Sequence, residues 1–108
     1  MPKKPEPLES TISNGIIKAI NAIDGCRVKK FHGSSFGHME LDIYGCCRGR
    51  ATFLEVKRTT NKPSERQLVE IRRWEETGAI VGVVHNKQEA LDIIAPAIEG
   101  EWPPKQEG

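Results

Sequence analysis

The run Ala79–Val84 constrains the fold more than any other feature of this sequence. Its residues, AIVGVV, are all apolar and most are β-branched. A strand without a polar face must be covered on both sides, as strands are in the interior of an α/β sheet. Together with the other elements, it predicts an α/β protein with a central mixed sheet that is flanked by helices.

Three more strands are expected before this run. They are predicted at Cys26–Phe31, Leu41–Tyr44 and Ala51–Lys57, and a Gly- and Ser-rich loop is predicted at His32–His38. The connection Gly45–Arg50 is short and has a glycine near each end. It therefore favours an antiparallel hairpin of the second and third strands.

Three segments are predicted to be helices, which makes the order helix, strand, strand, strand, helix, strand, helix. The second helix begins at Ser64, which forms a capping box with Gln67, and ends at Gly78. The third follows Asn86 and should end or kink at Pro96, because proline has no N–H to donate. The apolar residues of the first helix are Leu8, Ile12, Ile16, Ala19, Ile20 and Ile23, and those expected to face inward in the second are Leu68, Ile71 and Trp74.

The length of 108 residues is that of one domain. We expect this domain at residues 8–98, between a flexible Pro- and Lys-rich arm at 1–7 and a flexible polar tail at 99–108. No apolar run in the sequence approaches the about 18–20 residues that span a bilayer. No signal peptide is recognisable at the N-terminus. We therefore expect a cytoplasmic protein without a membrane partner.

Basic residues are concentrated in the middle of the chain. Between Arg27 and Lys62 there are eight basic and three acidic residues, although the whole chain has a net charge of only +1. Such a segment indicates an anionic partner on one face. The three cysteines, at 26, 46 and 47, lack the spacing of a zinc site and are interpreted as small, reduced, semi-buried residues.

The candidate chemistry lies in the segment Phe53-Leu54-Glu55-Val56-Lys57. Alternate side chains of a strand share a face, so Glu55 and Lys57 point the same way and Leu54 and Val56 point into apolar packing. Asp42, thirteen positions before Glu55, reaches the same place if the two strands pair. The alternative is a surface hairpin on which Glu55 and Lys57 form an ordinary salt bridge.

Two carboxylates on one face repel each other unless a cation lies between them. Mg²⁺ suits the pair Asp42 and Glu55, because it takes carboxylate and carbonyl oxygens and keeps several waters. A metal at this place would activate a water and neutralise a phosphate in phosphodiester hydrolysis. Lys57 would orient the water or neutralise charge in the transition state.

These residues carry a resemblance to a known family. Leu41-Asp42 followed by Glu55-Val56-Lys57 resembles the PD-(D/E)XK nuclease motif. With His32-Gly33-Ser34, the segment from Asp42 to Arg50, and Pro63-Ser64, Gln67, Trp74 and Gly78, the chain is similar to the compact VRR-NUC domains of bacteriophages over residues 8–95. The resemblance implies a restriction-endonuclease-like fold, dependence on Mg²⁺ or Mn²⁺, and cleavage of DNA.

The resemblance also implies roles for single residues. Asp42 and Glu55 would be metal ligands together with the carbonyl of Val56, and Lys57 would be the catalytic lysine. Gln67 would support the site, although it could equally serve only the capping box with Ser64. Glu9 would complete the catalytic set, although it could equally be a helix N-terminal acid that interacts with the dipole.

The sequence departs from the family before the first ligand. The family has Gly-x-Pro-Asp, whereas this chain has Met39-Glu40-Leu41-Asp42. We therefore expect a turn of different shape there, and Glu40 is either a further ligand or an edge residue. The histidines His32 and His38 are either ligands or solvent-facing loop residues, His85 is interpreted as structural, and Trp102 as a partner contact or an unstructured residue. The candidates for phosphate contacts are Lys29, Lys30, Arg48, Arg50, Arg58 and Lys62.

The leading functional hypothesis is a structure-selective endodeoxyribonuclease that resolves four-way (Holliday) junctions as a homodimer, in the cytoplasm of the host cell if the gene belongs to a bacteriophage. The junction and the dimer follow from the resemblance, from the small size of the domain and from the need for two symmetric cuts. The alternatives are a nickase, a flap- or end-processing nuclease, a DNA-binding module with a decayed site, and a structural or inhibitory interaction protein.

Overall fold

The computed structural model describes residues 6–32 and 41–100. In this part of the chain the elements follow one another in the predicted order. They are α1 (Glu9–Asn21), β1 (Cys26–Lys30), β2 (Ile43–Cys47), β3 (Arg50–Val56), α2 (Glu65–Glu76), β4 (Ile80–Val84) and α3 (Lys87–Ile98). No helix among the described residues is both long and apolar enough to cross a membrane.

The four strands form one mixed sheet in the order β1-β2-β3-β4. The first two pairings are antiparallel, and β3 pairs with β4 in parallel because α2 carries the chain back between them. The predicted central mixed sheet flanked by helices is therefore confirmed. The parallel pair is the one that contains the buried apolar run from which the fold was predicted.

The sheet has an apolar cluster on each face. On one face, α1 and α3 cover a core that includes Ile16, Ile20, Leu54, Val56 and Ile94. On the other face, α2 covers a smaller cluster, which consists of Leu41, Ile71 and Val81 with Phe53, Trp74 and Val83 packed against them. Strand β4 contributes to both clusters, as its lack of a polar face required.

The hairpin of β2 and β3 has a tighter turn than the sequence predicted. Strand β2 continues to Cys47, so only Arg48 and Gly49 connect it to β3. Both have positive φ, 51° and 85°, which is the conformation of a two-residue turn whose twist matches the strands. The Nε of Arg48 donates to the carbonyl of Asp24 over 2.7 Å, which helps to hold a non-glycine residue in this conformation.

One expectation for the helices is wrong, and of the two outcomes expected at Pro96, an end or a kink, the structure excludes the end. Leu68 is 42% exposed, because the inward stripe of α2 is formed by Gln67, Ile71 and Trp74, and Leu68 is rotated away from the sheet. Pro96 lies inside α3, which continues to Ile98. The hydrogen bond that Pro96 cannot donate is lost, but the next turn buries Ala97 and packs Ile98 against the core, which offsets that loss.

Candidate active site

Glu55 is a buried carboxylate near the end of β3. It is 1% exposed and lies on the face of the sheet that α2 covers. Its Oε2 is 3.2 Å from the Nζ of Lys57 and accepts a hydrogen bond of 2.8 Å from the Nε2 of Gln67. A pair this deeply buried differs from the surface salt bridge that the sequence left open as the alternative.

Asp42 lies immediately before β2, beside Glu55. The register pairs Ile43 with Leu54, so that one step further along the ladder Asp42 is opposite Glu55. The Oδ2 of Asp42 accepts a hydrogen bond of 2.9 Å from the backbone N–H of Val56, and its carbonyl accepts one of 2.7 Å from Phe31. The pairing of β2 with β3 thus places both carboxylates at one end of the sheet.

Burial and the neighbouring carboxylate make Glu55 costly to ionise. The pKa of Glu55 is raised to about 7, first by burial and then by the charge of Asp42, and the hydrogen bond and charge of Lys57 oppose both effects. The second oxygen of Glu55, Oε1, is buried and has no hydrogen-bond partner. A buried acceptor without a donor is costly unless a cation or a proton occupies that position.

The donor set fits a hard divalent cation. Asp42 and Glu55 supply carboxylate oxygens, and the carbonyl of Val56 is available on the same strand as Glu55. Residues 6–32 and 41–100 contain no cluster of three or more His, Cys, Asp or Glu side chains that could enclose a metal. Mg²⁺ needs no such cluster, because it is bound by one or two carboxylates and otherwise by water and substrate oxygens.

Gln67 makes both of the contacts that the sequence presented as alternatives. Its side-chain Oε1 accepts from the backbone N–H of Ser64 over 2.9 Å. Its backbone N–H donates to the Oγ of Ser64 over 3.1 Å, which completes the capping box. The side-chain Nε2 group of Gln67 is then free to donate a hydrogen bond to Glu55. The cap fixes the orientation of the amide group, and the amide group holds the carboxylate.

Glu9 contacts the segment that follows β3 and forms no hydrogen bond or ion pair with Asp42 or Glu55. Its Oε2 accepts from the backbone N–H of Arg58 over 3.2 Å and from the Nδ2 of Asn61 over 2.8 Å. The hydrogen bond from Asn61 is the main reason why the pKa of Glu9 is below its usual value. Glu9 therefore ties α1 to the residues next to Lys57, and its position in the first turn also agrees with the dipole interpretation.

The predicted phosphate contacts fall into separate groups. Lys29 and Lys30 end β1 at the same end of the sheet as Asp42, and Lys62 is exposed in the loop before α2. Arg50 is exposed at the opposite end of β3, roughly 17 Å from Glu55 by strand rise, and Arg48 is in the turn beside it. Arg48 and Arg58 are engaged within the chain.

Arg58 is bound by a residue that the sequence did not single out. Its Nη2 donates to the carbonyl of Glu6 over 3.0 Å, and its Nε is 3.5 Å from the Glu6 carboxylate. That carboxylate also accepts 2.9 Å and 2.7 Å hydrogen bonds from the backbone N–H and the hydroxyl of Thr59. Nothing in the local pattern marks Glu6, because its partners are far away in the sequence.

The remaining candidates are outside the cluster or outside the described residues. His32 is exposed, and the Nδ1 of His85 is 2.9 Å from the Oε1 of Glu89 at the start of α3, as a structural histidine would be. The suggestions for His38, Glu40 and Trp102 concern residues that lie outside the described part of the chain, as do most of the predicted arm and tail.

The fold is similar to a solved structure described as a "VRR_NUC domain". The two chains are 27% identical, the similarity covers 81% of this chain and 94% of the other, and the TM-score is 0.63. No family model matches the sequence, and no curated protein sequence is similar enough to count as a match. The resemblance to VRR-NUC domains that the sequence motif indicated is therefore confirmed by the similarity of the fold.

Proposed function

From the premise that this chain has the fold of a VRR-NUC domain nuclease of the PD-(D/E)XK type, we propose that it is a metal-dependent, structure-selective endodeoxyribonuclease that acts on four-way junctions as a homodimer. The observation that carries the metal-dependent chemistry is the half-buried Asp42 beside the buried Glu55, with the Glu55 Oε1 left without a hydrogen-bond partner. Lys57 beside this pair supplies the cationic group that such chemistry needs.

Each residue of the site has a separate task. Asp42, Glu55 and the carbonyl of Val56 would hold Mg²⁺ or Mn²⁺, which would supply water activation and neutralisation of phosphate charge. Gln67 holds the Glu55 carboxylate in one orientation. Glu9 positions the segment after β3, and with it the backbone next to Lys57.

Lys57 acts on the substrate. Its ammonium group is 3.2 Å from the Oε2 of Glu55. When Glu55 serves as a ligand, the Lys57 Nζ is free to bind a non-bridging oxygen of the scissile phosphate or the attacking water. A fixed cation at that point stabilises the negative charge that develops in the transition state.

The DNA approaches from the end of the sheet at which the carboxylates lie. Lys29, Lys30 and Lys62 flank that end and contact phosphates, which sets affinity without reading sequence. A twofold dimer would present two sites to two strands of a junction and make symmetric cuts. The small domain leaves little surface for a module that reads sequence.

The test compares the native chain with Lys57→Ala on labelled four-way junction, flap, duplex and single-stranded DNA, each with Mg²⁺, with Mn²⁺ and with EDTA. We expect paired cuts in the junction that require metal and that Lys57→Ala slows by about 10²- to 10³-fold, which is typical when one transition-state stabiliser is removed. Lys18→Ala removes an exposed lysine of α1 and serves as the matched control, with unchanged cleavage.

Other outcomes would revise the proposal at different levels. Metal-dependent cuts in flaps or in one strand of a duplex would keep the nuclease and replace the junction resolvase with a flap-processing enzyme or a nickase. Binding of DNA without any cleavage by the native chain would contradict the enzyme and favour a DNA-binding module. Paired cuts by a protein that sediments as a monomer would contradict the dimer.

A further inference from the structure

Within residues 6–32 and 41–100, only half of the sheet face that holds Glu55 is covered. Helix α2 packs chiefly on β4, and its apolar cluster ends where Phe53 stacks on Trp74, with ring centroids 3.9 Å apart. The next side chain on this face is Tyr44 of β2, which pairs with Phe53, and beyond it is Lys29 of β1, which pairs with Tyr44. Both are exposed, so the sheet presents an open surface beside the active site.

Two aromatic rings stand on this surface. Tyr44 is 41% exposed and Phe31 is 37% exposed. Their ring centroids are 6.3 Å apart at an interplanar angle of 76°, which is an edge-to-face contact that supports the orientation of both rings. Together with Leu41 and Phe53, they line a hollow of about 350 Å³, which is at the small end of the range for ligand pockets.

The rings are bordered by cations. Arg27 and Lys29 line a second hollow of about 250 Å³ on the other side of Tyr44. Both are exposed, and neither forms an ion pair with any described residue. Aromatic rings next to unpaired cations form the combination by which proteins bind single-stranded nucleic acid, since bases stack on the rings and phosphates meet the cations.

The surface is close enough to the active site to contact the same strand of DNA. Tyr44 lies opposite Phe53, and Glu55 is two residues beyond Phe53 on the same face. Diagonal neighbours of this kind on an antiparallel pair are about 7–8 Å apart. A strand whose phosphate is bound by Lys57, beside Glu55, therefore passes the Tyr44 ring within a short distance of the cut.

We propose that Tyr44, supported by Phe31 and bordered by Arg27 and Lys29, is a stacking platform for an unpaired nucleobase of the DNA substrate next to the scissile phosphate. This inference rests on the proposed nuclease function and adds to it the feature of the DNA that is recognised. A base within a duplex is already stacked on its neighbours, whereas the stack is interrupted at the branch point of a four-way junction or a flap, so the platform favours branched DNA over duplex. Two rings are also too small an area for a stable protein interface, which buries about 800 Å² on each partner.

The experiment measures binding in EDTA, so that it does not depend on cleavage. A flap substrate carries the fluorescent base 2-aminopurine at successive positions of the unpaired strand near the branch, and a blunt duplex of the same sequence is the reference. We expect the native chain to quench the fluorescence at one or a few adjacent positions. Tyr44→Ala should abolish the quenching and weaken binding of the flap about 10- to 100-fold, the effect of losing one base stack, with less than about 2-fold change for the duplex.

Matched variants separate stacking from other effects. Tyr44→Phe keeps the ring and should retain both the quenching and the affinity. Leu68→Ala removes an equally exposed apolar side chain on α2 and should change neither. Arg27→Ala should weaken flap and duplex alike and lower the salt dependence of binding, as the loss of one phosphate contact does. If Tyr44→Ala does not fold, Phe31→Ala takes its place and should weaken flap binding selectively.

Two results would overturn the platform. One is an unchanged ratio of flap to duplex affinity in Tyr44→Ala. The other is a native chain without base-specific quenching whose Tyr44→Ala variant changes from dimer to monomer. That second result would make the rings a contact between two copies of the chain. Failure of the nuclease proposal is recognised separately, because it would appear as no metal-dependent cleavage by the native chain whatever the binding assay reports.

Discussion

At the scale of single residues, Glu55 has two oxygens in different surroundings. Oε2 has two partners, Lys57 and Gln67, whereas Oε1 is buried without one. A protein that only needed a stable core would have an apolar residue there, because an incompletely paired buried charge is destabilising. Residues that keep such a cost are candidates for function.

Gln67 joins this carboxylate to α2, and its two roles can be separated by mutation. Ser64→Ala removes the N-cap acceptor alone and should lower the free energy of unfolding by about 1 kcal/mol, with cleavage nearly unchanged. Gln67→Ala loses the side-chain acceptor of the capping box and the contact with Glu55. It should lower cleavage by about 10- to 100-fold, as the loss of a hydrogen bond to a metal ligand does.

The measurement for these two variants is thermal unfolding together with cleavage over a range of Mg²⁺ concentrations. A positioning role for Gln67 predicts that Gln67→Ala needs more Mg²⁺ and that Ser64→Ala does not. Equal cleavage rates in the two variants would mean that Gln67 serves only the capping box.

At the scale of elements, the pairing of β1 with β2 depends on a close approach between the two backbones. Gly45 lies opposite Val28, and a Cβ at this position would clash with the carbonyl oxygen of Arg27 and lie 2.6 Å from the Cα of Val28. Both of these atoms belong to the backbone and cannot rotate away. Glycine is required here so that β1 can pair along its whole length.

Gly45→Ala should therefore destabilise the protein by about 1–3 kcal/mol or more, the usual cost of overpacking. In a domain of this size each 1 kcal/mol lowers Tm by about 4–8 °C. Gly15→Ala is the matched control, because Gly15 is exposed in α1 with no atom within 4 Å of the new Cβ. That variant should gain about 0.5–1 kcal/mol from helix propensity. A Gly45→Ala protein as stable as the native chain would contradict the close approach.

At the scale of the whole molecule, the active site makes stability depend on pH. The folded-state pKa of Glu55 is raised from 4.5 to about 7, so the folded protein binds this proton more tightly than the unfolded chain does. The stabilisation that protonated Glu55 gives the folded state is complete below the pKa of Glu55 in the unfolded chain. It is lost as pH rises through the pKa of Glu55 in the folded protein. In EDTA, Tm should accordingly fall between about pH 5 and pH 8.

The control for this pH dependence is Glu55→Gln, which cannot ionise and whose Tm should fall less over the same range. Mg²⁺ stabilises the folded state by mass action and competes with the proton. It should therefore raise the Tm of the native chain more at about pH 8 than at about pH 6, and leave Glu55→Gln nearly unaffected. The same loss of Tm in both proteins would show that Glu55 is not the titrating group.

Much of this architecture could be predicted from the sequence, because the signals involved are local. An apolar run such as Ala79–Val84 must be covered on both faces, and alternation along a strand puts Glu55 and Lys57 on one face whatever the rest of the chain does. The capping box at Ser64 is similarly a matter of neighbouring residues. The order of elements and the central pair of the site could thus be inferred without coordinates.

What only the tertiary structure decided depends on how elements are rotated and which distant residues meet. The rotation of α2 turns Leu68 outward and Gln67 toward Glu55, because the sheet beneath accepts Ile71 and Trp74 and leaves a polar partner above the carboxylate. Arg58 is engaged by Glu6, and Tyr44 is left uncovered because α2 reaches only part of the sheet. Periodicity defines which residues share a face, but it does not define what that face contacts.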